Sequence, residues 1–282
     1  MRVGGNLQLR TLLFFNCGIS TNVRGTLSEF IQCMPSLESL EFNASRAHEL
    51  FGGLVATITP PLCALTSLQS LQVSGQSLSH EEVEHMAVCL GALHDPLLRS
   101  LHLPFNSIKV GGAQALAQAL PNLSNLEKLD LTRNTIAASG AEAIAETLPS
   151  CSKLVLLDLW ANGIADAGVQ ALSLSLLQLP CLMFLDLCLN RIRDSGAIAL
   201  AEALSGHTAL RSLNLDNNLV HDEGALCLSR SLMGVRTFGM LFLCRNRLSD
   251  EGKAAVEAIL LNKVRVHSVS VLVSRSLPDT LV

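Results

Sequence analysis

Leu126-Glu127-Lys128-Leu129-Asp130-Leu131-Thr132-Arg133-Asn134-Thr135-Ile136 is the stretch that decides the fold. Its leucines stand three apart and then alternate, which describes a short strand with one buried face. Asparagine follows the strand, and Gly140 comes six residues later. Beyond the glycine, Ile144 and Leu148 keep the spacing of a helix with one buried stripe.

The same phrase recurs along the chain. Leu98, Leu101, Leu103, Asn106 and Ile108 precede it. Leu154, Leu157, Leu159, Asn162 and Ile164 follow, then Leu182, Leu185, Leu187, Asn190 and Ile192. Two more copies carry Leu210, Leu213, Leu215, Asn218 and Val220, and Phe238, Leu241, Leu243, Asn246 and Leu248. The six asparagines lie 28 residues apart, and Gly112, Gly140, Gly168, Gly196, Gly224 and Gly252 keep the same phase. Chance does not hold such a period, so repetition organises the chain. Weaker copies stand upstream: Leu68, Leu71, Val73 and Leu78 with Gln76 in the polar slot, Leu37, Leu40 and Phe42 with Ser45, and Leu9, Leu12, Phe14 and Ile19 with Cys17. Downstream, Val266, Val269 and Val271 with Ser274 give a last strand. The expectation is a single domain over 1–282. It comprises three degenerate repeats in 1–96, six regular repeats in 97–262, and a terminal strand and tail in 263–282.

The LxxLxLxxN pattern resembles that of leucine-rich repeats. The 28-residue period, with Ala197-Ile198-Ala199-Leu200-Ala201-Glu202-Ala203-Leu204 in its second half, resembles the ribonuclease-inhibitor-like class. That class includes ribonuclease inhibitor, the Ran GTPase-activating protein and the repeat arrays of NOD-like receptors. The resemblance implies an α/β solenoid, a horseshoe with a parallel sheet on its concave face and helices on its convex face. Geometry implies the same curvature, because strands pair about 4.8 Å apart while helices need about 10 Å. The functional reading is a non-catalytic scaffold that binds another protein on its concave face. Alternatives are a regulator of an enzyme (ribonuclease-inhibitor-like or GTPase-activating), a component of a cytoskeletal or ciliary assembly, or a repeat fragment of a NOD-like sensor. No GxxxxGK[ST] occurs, so the nucleotide-binding domain of such sensors is not in this sequence. The acidic C-terminal tail of the Ran activator is not in it either.

Composition fits a repeat array. Leucine fills 57 of 282 positions, hydrophobic residues 49%, charged residues 16%, and the net charge is −4. Such a chain is too apolar for disorder. It is too acidic to bind nucleic acid by neutralising phosphates. The apolar run Thr11–Phe15 is too short for a signal peptide. Ala171–Leu189 contains Gln178, Pro180 and Asp186, so it reads as helix, loop and strand rather than a membrane span. The nine cysteines are Cys17, Cys33, Cys63, Cys89, Cys151, Cys181, Cys188, Cys227 and Cys244. No CxxC occurs among them, so neither a zinc site nor a disulfide framework follows. We read reduced thiols in a cytoplasmic protein. The sequons at Asn43 and Asn122 then read as chance matches.

Several repeated residues call for structural roles. The asparagines can donate and accept, so they should satisfy the turn that leaves each strand. The glycines should allow close packing of the first helical turn. Asp166, Asp194, Asp222 and Asp250, two residues before their glycines, are expected as N-caps. Pro121, Pro149 and Pro180 fall where the chain returns from helix to strand.

Function should lie on the outward positions of the strands. The middle slot reads Leu13, Glu41, Gln72, His102, Asp130, Asp158, Asp186, Asn214, Phe242 and Ser270. Trp160, the only tryptophan, is expected beside Phe184, rimmed by Asp130, Asp158, Asp186 and Asp216, with Arg133 and Arg245 at the turn edge. Exposed aromatics among acids suit a protein partner of basic charge. Catalysis is not expected. His102 has no nucleophile partner, and an open sheet offers no desolvated pocket to tune the aspartates. No cofactor or metal is implied. Cys188 and Cys244, two repeats apart, are too distant for a disulfide. Thr280-Leu281-Val282 resembles a PDZ-domain ligand. Only eight residues precede Leu9, and repeat arrays need polar caps, so self-association through the N-terminal edge is expected, or further sequence upstream.

Overall fold

Among the described residues ten parallel strands lie side by side in strict chain order. They are β1 (Thr11–Phe15), β2 (Ser39–Asn43), β3 (Ser70–Ser74), β4 (Ser100–His102) and β5 (Lys128–Asp130). β6 (Leu156–Asp158), β7 (Phe184–Asp186), β8 (Ser212–Asn214), β9 (Met240–Phe242) and β10 (Ser270–Leu272) complete the sheet. The computed structural model describes residues 9–15, 21–43, 59, 61–92, 97–264 and 270–272. The described helices are α1 (Thr21–Gln32), α2 (His80–Gly91), α3 (Val110–Ala119), α4 (Ala137–Thr147), α5 (Ala165–Leu176), α6 (Asp194–Leu204), α7 (Asp222–Leu232) and α8 (Asp250–Val264). The alternation of strand and helix makes an α/β leucine-rich-repeat horseshoe.

The core fills the space between the two layers. Leu101, Leu129, Leu157, Leu185, Leu213 and Leu241 form one buried row across the sheet, and Leu103, Leu131, Leu159, Leu187, Leu215 and Leu243 form the next. On the helical side Ile144, Leu172, Leu200 and Leu228 are fully buried. The degenerate N-terminal copies keep the same register, with Leu12, Leu40, Leu71 and Leu101 in line. Phe14 stacks flat on Phe42 at 4.8 Å, so a pair of rings does there what leucines do elsewhere. Pro121 and Pro149 sit in 3₁₀ turns that end α3 and α4, as the spacing predicts.

The asparagine ladder has the expected structural role. Asn134 Nδ2 donates to the carbonyls of Leu103 and Leu131, while its Oδ1 accepts from the backbone of Asn106 and Ile108. Asn190 and Asn218 repeat the pattern two and three repeats further on. Each amide therefore binds backbone of the preceding repeat, about 28 residues away. Where asparagine is missing, in the first three copies, the strands run to five residues rather than three.

Two expectations need correction. The helix-start aspartates do not cap their own helices. Asp166 Oδ1 accepts from the backbone of Arg193 and Gly196, and Asp194 Oδ1 from His221 and Gly224. Asp222 reaches Ser249 in the same way. Asp166 and Asp194 thus cap the helix of the following repeat, whereas α8 is capped by Ser249 Oγ, which accepts from Gly252 and donates to Asp222. The capping positions Arg193 and His221 make no side-chain cap hydrogen bond, and the stacked aspartate fills that role. Asp250 has no described helix beyond it. The glycines make room for this contact. A Cβ on Gly224 would stand 2.7 Å from Asp194 Oδ1 and 2.9 Å from Ala197 Cβ.

The second correction concerns β10. Ser270 was expected in the middle slot, but Ser270 pairs with Met240, Val271 with Leu241, and Leu272 with Phe242. The register is two residues later because α8 runs 15 residues where α3–α7 run 10 to 12. Val266, Val269, Ser274, the Thr280–Val282 tail, Cys17, Ser45 and the residues before Leu9 lie outside the described residues.

Candidate interaction surface

Strand register lays the outward residues in parallel bands. The first slot carries Ser100, Lys128, Leu156, Phe184, Ser212 and Met240. The second carries His102, Asp130, Asp158, Asp186, Asn214 and Phe242. Two residues further stand Thr132, Trp160, Cys188 and Asp216. Beyond them, at the turn edge, come Phe105, Arg133, Leu189 and Arg245, each with a positive φ between 50° and 61°.

This register separates Trp160 from Phe184. Phe184 pairs with Leu156, four residues before Trp160, so the two positions are one strand apart sideways and offset by about 13 Å of extended backbone along it. The expected aromatic pair does not form, and the acidic row runs between its two members. Phe184, 38% exposed, belongs to an apolar band with Leu156 and Met240.

Trp160 finds other company. The guanidinium of Arg133 lies 4.9 Å from the centroid of the Trp160 ring and 5.5 Å from that of Phe105. Arg133 is held between two aromatic faces by cation–π attraction. Trp160 is half-buried between buried Thr132 and buried Cys188, not freely exposed as its slot suggests. Sequence reasoning missed Phe105, which is 45% exposed. The available signal was its position, one residue before Asn106 as Arg133 is before Asn134. Arg245 stands four repeats from Arg133, beside Asp216, whose carboxylate it helps to keep charged.

The acidic row is partly built into the turn. Asp130 Oδ1 accepts from the Thr132 amide at 2.9 Å, Asp158 Oδ1 from Trp160 at 3.0 Å, and Asp186 Oδ1 from Cys188 at 2.9 Å. Asn214 does the same for Asp216. One oxygen of each thus closes a turn, and the other faces its neighbours.

Their titration differs along the row. Burial, with the negative charges of Asp186 and Asp130 alongside, pushes Asp158 up to about 6 against the hydrogen bond from Trp160. Burial also raises Asp186 and Asp216. For Asp130, burial is outweighed by hydrogen bonds from His102 and Thr132, and its carboxyl falls below the usual range. His102 Nδ1 stands 3.5 Å from Asp130 Oδ2. The expectation that an open sheet could not tune these groups is therefore corrected. Flanking side chains shield the strand surface, and three like charges share one row. Among the described residues no ion pair reaches Asp158 or Asp186.

The Leucine Rich repeat family model matches five successive segments, residues 94–117, 122–145, 150–173, 178–201 and 206–229. With the parallel sheet and its asparagine ladder, this makes the chain a leucine-rich-repeat protein. No curated protein sequence matches it. Among solved structures, an internalin C2 from Listeria monocytogenes is 19% identical, with a TM-score of 0.49 over 75% of this chain and 74% of that one. An internalin, InlF, from the same organism is 16% identical, with a TM-score of 0.42 over 96% and 88%. TLR13, solved in complex with ssRNA13, is 17% identical, with a TM-score of 0.41 over 80% of this chain and 35% of that one. No helix among the described residues is long and apolar enough to cross a membrane, and no group of three or more described His, Cys, Asp or Glu residues could hold a metal ion.

Proposed function

We propose that this protein is a non-catalytic scaffold of the ribonuclease-inhibitor-like kind, which binds a basic segment of another protein on its concave face. One observation carries the reading: Asp158 and Asp186 are partly desolvated, adjacent and without an ion pair among the described residues. Such charges raise the free energy of the free surface and would be neutralised by a partner's lysines or arginines. Asp130 and Asp216 extend the row. Phe184 with Leu156 and Met240 offers apolar contact on one side, and Trp160 with Arg133 and Phe105 on the other. Arg245 closes the far edge. The cytoplasmic placement belongs to the same proposal and rests on cysteine usage.

The sole tryptophan lies in this surface and reports on it directly. A captured partner should shift Trp160 emission, and capture should weaken in D158N/D186N. Trp160→Ala should keep its circular dichroism while losing partner. Partners retained equally by all three chains would sink the reading. Binding should also tighten between pH 5 and about 7, because a partner cation favours the ionised form of Asp158.

A further inference from the structure

The convex face carries a second surface that shares no residue with the concave one. On α5, Leu174 is 81% exposed, and Leu177, at its C-cap, 59%. The stack does not need them, since α5 buries Leu172 and Leu176 on its inner side. Leu174 stands between two hollows. One, of about 560 Å³, reaches α6 and is lined by Leu177, Ala199, Ala203 and Glu202 among others. The other, of about 340 Å³, reaches α4 and is lined by Ala145, Pro149 and Glu146 among others. Glu142 borders both.

Charge on this face has one sign. Helices α3 to α6 hold Glu142, Glu146, Asp166, Asp194 and Glu202, and no lysine or arginine. Asp166 and Asp194 are engaged in capping. Among the described residues the three glutamates have no ion pair. Glu142 and Glu146 stand four apart on one helix, a spacing at which like charges repel.

We propose that this face docks an amphipathic basic helix of a partner protein. Its apolar side chains enter the hollows on either side of Leu174, and its lysines or arginines meet Glu142, Glu146 and Glu202. Neighbouring helix grooves lie about 8–10 Å apart. A helix laid across them places side chains seven residues apart at about 10.5 Å, which matches. The acidic surround repels phosphate, nucleic acid and anionic lipid. It also disfavours a second copy of this chain through the same face, which would bring five acids against five.

The proposal does not depend on the concave reading. The probe is a labelled peptide of about 18 leucines and lysines with helical leucine spacing, followed by fluorescence anisotropy. A peptide with glutamate in place of lysine is its counterpart. The lysine peptide should bind the wild type and, through the convex face, D158N/D186N as well. L174S/L177S should weaken it about tenfold or more, given the apolar area lost. E142Q/E146Q/E202Q should weaken it and flatten its salt dependence. The leucine variant should keep the wild-type circular dichroism and Tm, because both side chains face solvent. The proposal is overturned by no binding, by equal binding of the glutamate peptide, or by a folded L174S/L177S chain that binds like the wild type. Leucine-dependent dimerisation in sedimentation, or leucine-dependent binding to anionic vesicles, would overturn it in favour of those occupants.

Discussion

Asp158 shows how one residue can be both structural and strained. Its Oδ1 closes the turn to Trp160, yet its charge sits beside Asp186. The folded carboxyl titrates at about 6, above the unfolded value of about 3.9. The native state therefore binds the extra proton between those values, and stability falls as pH rises through that window. Asn214 shows that asparagine fits the same slot and serves the same turn. Asp158→Asn should raise stability at pH 8 by about 1 kcal/mol, discounted for partial exposure. The gain should vanish by about pH 4, which urea titrations at both pH values would check. Asn134→Ala has the opposite character. It orphans the Asn106 and Ile108 amides and the carbonyl of Leu103, so it should cost about 2–4 kcal/mol.

At the scale of elements, the starts of α6 and α7 are stabilised by the preceding repeat. Asp194→Ala should cost about 1 kcal/mol, the usual loss of a cap. The distinguishing readout is position. Hydrogen exchange should speed up at His221 and Gly224, at the start of α7, rather than within α6. Faster exchange confined to α6 would restore the simple N-cap reading. Gly224→Ala drives a methyl into the same contact and should cost about 1–3 kcal/mol. The two changes together should be non-additive, since they disturb one contact.

For the whole molecule, stability is a sum over neighbouring repeats. Leu182 and Leu210 occupy the same slot 28 residues apart, so removing 182–209 joins equivalent positions. The shortened chain should fold, and its urea m-value should fall roughly in proportion to the surface lost. An unfolded product would show that the array depends on contacts beyond nearest neighbours. Removing 14 residues instead should abolish folding, because strand slots would then meet helix slots.

Periodicity made the fold legible, since one buried face per strand and one stripe per helix leave few ways to stack 28-residue units. The asparagine roles, the glycine packing and the outward bands could be read from Leu129, Asn134 and Gly140 and their equivalents. They are set by contacts that recur with the period, so the sequence by itself determined them. Tertiary structure decided what depends on register across strands and on depth. It separated Trp160 from Phe184, because sequence distance along a strand does not show that Phe184 faces Leu156. It assigned the aspartate caps to the following repeat, because a carboxylate reaches sideways as readily as along its own helix. It moved β10 by two residues, because a longer α8 breaks the period. It tuned the acidic row, because the burial that lifts Asp158 comes from its neighbours and not from its slot.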